Sequence, residues 1–92
     1  MRILKILDKR RFHLKLLELE DGSYDVFYNS KRYLLSKSTH LKGKLIKLYA
    51  EELGANDFIS LNYYSDIGDG LLKPCEMSPE KVISFVLELD IA

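Results

Sequence analysis

An α+β domain with a mainly antiparallel sheet, in the order β-β-β-β-α-β-α and with two helices packed on one face, follows from three features of the sequence. Short apolar runs separated by turn residues fill the first 36 positions, an amphipathic spacing covers residues 41 to 53, and Ser78-Pro79-Glu80 carries the signature of a helix start. Ninety-two residues make one domain, 1–92. A chain of that length buries about 60 to 70% of its unfolded surface around a single modest core.

The elements follow in order. Ile3, Leu4, Ile6 and Leu7 suit a first strand, and Phe12, Leu14, Leu16, Leu17 and Leu19 suit a second, with a turn at Asp8-Lys9-Arg10-Arg11. The alternation changes phase at Leu16-Leu17, which a bulge would absorb. Asp21-Gly22 tolerates the positive φ of a tight hairpin turn and predicts pairing of residues 14 to 20 with 23 to 28. Asn29-Ser30-Lys31 marks a second turn, into a run at residues 32 to 37 that reads as a strand or as a helix start.

Leu41, Leu45, Leu48, Tyr49 and Leu53, interspersed with Lys42, Lys44, Lys47 and Glu51, predict an amphipathic helix capped by Ser38 or Thr39 and ended by Gly54. Phe58 to Tyr63 alternates as a half-buried strand with Ile59, Leu61 and Tyr63 on one side. Residues 65 to 77, with Gly68, Gly70 and Pro74, lack periodicity and read as irregular. The last helix begins at Ser78-Pro79-Glu80 and buries Val82, Ile83, Phe85, Val86 and Leu89. Leu45, Leu48, Leu53, Ile59, Leu61, Val82, Phe85 and Val86 are the predicted core.

Charge is sorted along the chain. Residues 1 to 48 hold twelve Lys/Arg and five Asp/Glu, whereas residues 49 to 92 hold two and nine, so a net charge of zero conceals halves of +7 and −7. In the predicted meander, Lys9, Arg10 and Arg11 of one turn lie beside Lys31 and Arg32 of another, forming a basic rim that Glu51 or Glu52 partly neutralises. Tyr24, Tyr28 and Tyr33 on neighbouring strands would complete an exposed stacking platform. Zero net charge and a pI of 6.7 lack the basic footprint of a nucleic-acid module, so nucleic acid is the disfavoured partner for that surface.

No motif completes a catalytic site. Cys75, between Pro74 and a helix start, is the one candidate nucleophile. Glu76 would be its proton donor, and Tyr63 or Tyr64 would supply hydrogen bonds, for thiol-dependent reduction of a sulfoxide or peroxide with an external thiol completing the cycle. A packing role for Cys75 is the simpler reading, because free cysteine is among the most buried residue types. His13, His40 and Cys75 are too scattered to hold a metal, Asp66 to Gly70 lacks the spacing of a calcium loop, and no Gly-rich phosphate cradle occurs, so no cofactor is expected.

A single cysteine cannot form an internal disulfide, no apolar run reaches the roughly 20 residues of a membrane span, and Met1 to Leu7 is cut off by Asp8 without a cleavage site. These features predict a soluble cytoplasmic protein with no membrane partner. A non-enzymatic protein-interaction or self-associating module, binding a protein partner or its own copies, is the leading expectation. The thiol enzyme and nucleic-acid binding are the alternatives.

Overall fold

The computed structural model describes residues 2–68 and 70–92, with side chains from Lys9 onward; Met1 and Asp69 lie outside the described residues. Helix α1 (Arg2–Glu18) leads into strands β1 (Gly22–Tyr28), β2 (Lys31–His40), β3 (Leu45–Glu52), β4 (Phe58–Tyr64) and β5 (Leu71–Pro74). Helix α2 (Pro79–Glu88) and the short strand β6 (Asp90–Ile91) follow. All neighbours in the sheet, ordered β5-β4-β3-β2-β1-β6, are antiparallel. Both helices lie on one side of it. The α+β class and the one-sided helices are as the sequence predicts, but the element order is α-β-β-β-β-β-α-β.

The first correction concerns residues 2 to 18, which form one helix rather than two strands about a turn. Phe12, Leu16 and Leu19, at i, i+4 and i+7, are buried, whereas Leu14 and Leu17 are exposed, so the phase change at Leu16-Leu17 marks a 3.6-residue period and not a bulge. Asp21-Gly22 is accordingly no hairpin tip. Gly22, at φ 120°, opens β1, whose hairpin partner is β2.

Residues near that junction pin the end of α1 to β2. Lys37, a charged residue buried in β2, donates from Nζ to the Leu19 carbonyl at the helix end, where the backbone dipole favours a cation. Asp21 lies 3.6 Å from the same ammonium and accepts from the Thr39 hydroxyl at 2.8 Å. The Thr39 hydrogen bond, together with Lys37, holds the Asp21 carboxyl below its ordinary value against the opposing effect of burial.

Asn29 and Ser30 form the β1–β2 turn with φ of 54° and 62°, the two left-handed residues of a type I′ hairpin, and β2 continues as a strand to His40. The second correction is the helix expected over residues 41 to 53. A single 3-10 turn (Leu41–Gly43) gives way to β3, where Ile46, Leu48 and Ala50 are buried and Lys47, Tyr49 and Glu51 exposed. Leucines at 41, 45, 48 and 53 imitate a helical stripe, yet β3 lies between β2 and β4, and a two-sided neighbourhood selects the alternating row 46, 48, 50. Ser38 and Thr39 are therefore strand residues rather than caps, Leu53 is exposed rather than core, and Leu45 is half-buried.

Strand β4 buries Ile59, Leu61 and Tyr63 as its alternation predicts. Part of the segment expected to be irregular is β5, which pairs with β4. Helix α2 begins as predicted: the Ser78 hydroxyl accepts from the Lys81 amide at 3.2 Å and Pro79 takes the first turn. Val82, Phe85 and Val86 then close the core with Phe12 and Leu16 of α1 over Val26, Leu35, Ile46, Leu48, Ile59 and Leu61 of the sheet.

Candidate functional site

The tyrosines expected to form an exposed platform face the helices. Tyr33 is fully buried. Tyr28 packs against Tyr33 and Phe85 with ring centroids 6.1 and 5.1 Å apart and shares a 3.0 Å hydrogen bond with Ser84, while Tyr24 donates to the Glu20 carbonyl at 2.8 Å. Their positions share the parity of Val26 on β1 and Leu35 on β2, the row that the helices cover.

The basic rim loses its framework as well. Lys9, Arg10 and Arg11 belong to α1, whereas Lys31 and Arg32 follow the β1–β2 turn, so the turn that would carry the first three beside the others does not exist. Arg32 pairs with Asp25 at 2.7 Å and lies over the Phe27 ring at 5.9 Å. Glu51 and Glu52 stand opposite Leu34 and Tyr33 in the β2–β3 ladder.

The proposed thiol site is not assembled. Tyr63 and Tyr64, adjacent in β4, point to opposite faces of the sheet. Cys75 is half-buried and its amide bonds the Ser60 carbonyl at 2.9 Å, four residues along β4 from Tyr64, or about 13 Å at ~3.3 Å per residue. Glu76 is exposed at φ 65°. Tyr63 is engaged elsewhere: its hydroxyl lies 2.5 Å from His13 Nδ1 and its ring packs edge-on to Phe12 at 5.6 Å. A Cβ on Gly70, which sits at φ 106°, would stand 1.8 Å from the Tyr63 oxygen, so the close approach requires glycine. The other histidine, His40, shares a 2.8 Å hydrogen bond with Ser38. Among the described residues, no three His, Cys, Asp or Glu side chains gather as metal ligands.

Polar side chains do converge where α2 meets the β3–β4 turn. Tyr33 donates to Asp57 Oδ2 at 2.7 Å, and Lys81 donates to Asp57 Oδ1 at 2.6 Å. Burial works to raise the Asp57 carboxyl, but the hydrogen bonds from Lys81 and Tyr33 outweigh it and hold the group below its ordinary value. Burial first, then the bond to that carboxylate, push the Tyr33 phenol well above its ordinary value. Such a permanently ionised acid and protonated phenol suit a structural clasp rather than proton transfer at neutral pH. Between α1, α2 and β5 lies a cleft of about 670 Å³ floored by Phe12, Tyr63, Leu72 and Ile83, with side chains of both signs, such as Lys9 and Glu80, in its lining.

The largest feature is the sheet face that the helices leave uncovered. The register sets Asp25, Leu34, Glu51 and Phe58 in one row across the strands, Ser23, Ser36, Tyr49 and Ser60 in the next, and Ser38, Lys47, Asn62 and Lys73 in a third. Phe27, Leu34 and Tyr49 are 43%, 37% and 44% exposed there, and Tyr49 stacks on Phe58 at 6.2 Å. Beside Tyr49 the small side chains of Ser23, Ser36, Ser38 and Ser60 leave a depression of about 430 Å³ that Lys47 and Asn62 also line. None of Phe27, Leu34, Tyr49 or Phe58 stood out in the sequence as a surface residue. Their signal was the strand parity opposite to Val26 and Leu35.

No family model, curated protein or solved structure matches the chain. Among the described residues, no helix is long and apolar enough to cross a membrane.

Proposed function

We propose that the protein is a small cytoplasmic, non-enzymatic protein-interaction module whose contact surface is the open face of its sheet. One observation carries the reading: both helices cover a single face, and the other presents Phe27, Leu34 and Tyr49 at 37 to 44% exposure among serines and isolated charges. Exposed aromatic residues within a polar surround are the composition of contact surfaces. The two alternatives draw less support, since the Cys75 amide bonds β4 four residues from Tyr64, Tyr63 bonds His13, and the stacking tyrosines pack beneath the helices.

The test is a photo-crosslinking amino acid placed in living cells at Tyr49 and, as a control on the helical side, at the exposed position Glu18. Adducts to a polypeptide from position 49 and none from position 18 are expected, and Phe27→Ser with Leu34→Ser should remove them. Absence of adducts at position 49, or equal adducts at both positions, would overturn the reading.

A further inference from the structure

We infer that the occupant of the open face is a second copy of this chain, packed face to face about a twofold axis that runs across the strands along the Ser36–Tyr49–Ser60 row. The dimer rests on the open face being a contact surface and names its partner.

The outermost strands β5 and β6 span only four and two residues, which leaves little edge of their own for pairing. The face offers more. On one side of the Tyr49 row, Asp25 is neutralised by Arg32, which leaves Glu51 as that row's anion; on the other side stand the cations Lys47 and Lys73. Glu51, Lys47 and Lys73 make no ion pair among the described residues. Lys47 and Glu51 are each two residues from Tyr49 on β3, about 6.6 Å in opposite directions at ~3.3 Å per residue.

A twofold axis across the strands lays each strand over itself with its direction reversed. Lys47 of each copy then faces Glu51 of the other, twice, at the ~10 Å spacing of stacked sheets that two long side chains span. An axis along the strands would instead set Glu51 over Glu51 and Lys47 over Lys47, so charge selects the first arrangement. Shape agrees with it. The depression lies on the Lys47 side of Tyr49, and the same rotation brings the stacked Tyr49–Phe58 rings of the other copy toward it.

Five strands about 4.8 Å apart and about seven residues long make a face of roughly 550 Å², or roughly 1,100 Å² for two copies. That total clears the ~1,000 Å² needed by a specific interface and falls below the ~1,600 Å² standard size, which fits a dimer that dissociates on dilution.

Sedimentation velocity from about 1 µM to about 1 mM reads the equilibrium directly. The native chain should shift from monomer to dimer with concentration. Lys47→Glu and Glu51→Lys should each weaken the dimer about tenfold or more, and the combined swap should restore it, because inverting both charges rebuilds the complementarity. Circular dichroism confirms that each variant is folded. A monomer at every concentration, or a swap no better than the single variants, would overturn the dimer. Crosslinks from position 49 to a different polypeptide alongside a monomeric native chain would sink the dimer and keep the contact surface. No crosslinks at all would sink both.

Discussion

Removing one oxygen, by Tyr33→Phe, tests whether the Tyr33–Asp57–Lys81 clasp holds α2 to the sheet. Tyr33 is 1% exposed, and its hydroxyl meets a carboxylate at 2.7 Å. A hydrogen bond to a charged group contributes about 1.5 to 3 kcal/mol. Phenylalanine strands no donor, and Asp57 keeps Lys81 together with a backbone hydrogen bond from Phe58, so the lower half of that range, about 1.5 to 2 kcal/mol, applies. Asp57→Ala should cost more, about 2 to 3 kcal/mol, because it also leaves a buried hydroxyl unpaired. Lys81→Met should cost least, under about 1 kcal/mol, since its side chain is 39% exposed and solvent screens the pair.

The pH dependence has a definite sign. Asp57 is held below its unfolded value, so its contribution is complete above about pH 4 and disappears as pH falls through the folded-state value. Tyr33 is raised, so its contribution is complete below about pH 10 and declines as pH climbs beyond that. Urea unfolding at pH 7, at about pH 3 and at about pH 10.5 measures both. Tyr33→Phe should lower the melting temperature by about 10 °C at pH 7, and Asp57→Asn should flatten the acid limb. A Tyr33→Phe variant within about 0.5 kcal/mol of the native chain, or an unchanged acid limb in Asp57→Asn, contradicts the clasp.

Further outcomes follow from packing and backbone geometry. Leu48→Ala, at a position 2% exposed, should cost about 2 to 5 kcal/mol in urea unfolding, and unchanged stability would remove it from the core. Ser30→Gly relieves a left-handed residue at φ 62° and should raise stability by about 0.5 to 1 kcal/mol, visible as a higher melting temperature. Gly70→Ala forces Tyr63 from its contact with His13 and should destabilise by about 2 kcal/mol or more; an unshifted His13 ring signal in its NMR spectrum would show the clash to be absent.

Local signals in the sequence held at two places, although Asp21-Gly22, whose turn needed a strand before it, did not. Ser78-Pro79-Glu80 started a helix, and Asn29-Ser30 turned a hairpin, because a cap and a pair of left-handed residues need no distant partner. Periodicity failed where apolar residues were dense enough to satisfy both periods. Residues 12 to 19 offer strand alternation through Phe12, Leu14 and Leu16 and a helical stripe through Phe12, Leu16 and Leu19, and only the latter meets α2 and the sheet. Leu41 to Leu53 presents the reverse ambiguity, settled by having a strand on each side. The open face is not legible in the sequence because β1 carries aromatic residues at both parities, Tyr24 and Tyr28 against Phe27, and tertiary packing alone decides which set is covered. Asp57 gave no local hint of its role, since its partners Tyr33 and Lys81 each lie 24 positions away.

Strand β6 has a consequence for how the fold is reached. Strands β1 to β5 pair with sequence neighbours, but Ile91 pairs with Val26, and the Ala92 amide bonds the Asp25 carbonyl at 3.1 Å, across 67 positions of the chain. Because β6 directly follows α2, we expect the outer edge of β1 to gain this partner late, once α2 has docked. Until then the whole outer edge of the seven-residue β1 stands open, of which β6 pairs only Val26 and Phe27 in the finished sheet. The interval between closure of the meander and arrival of residues 90–92 is the period of exposure to misassembly, and whatever slows the docking of α2 lengthens it.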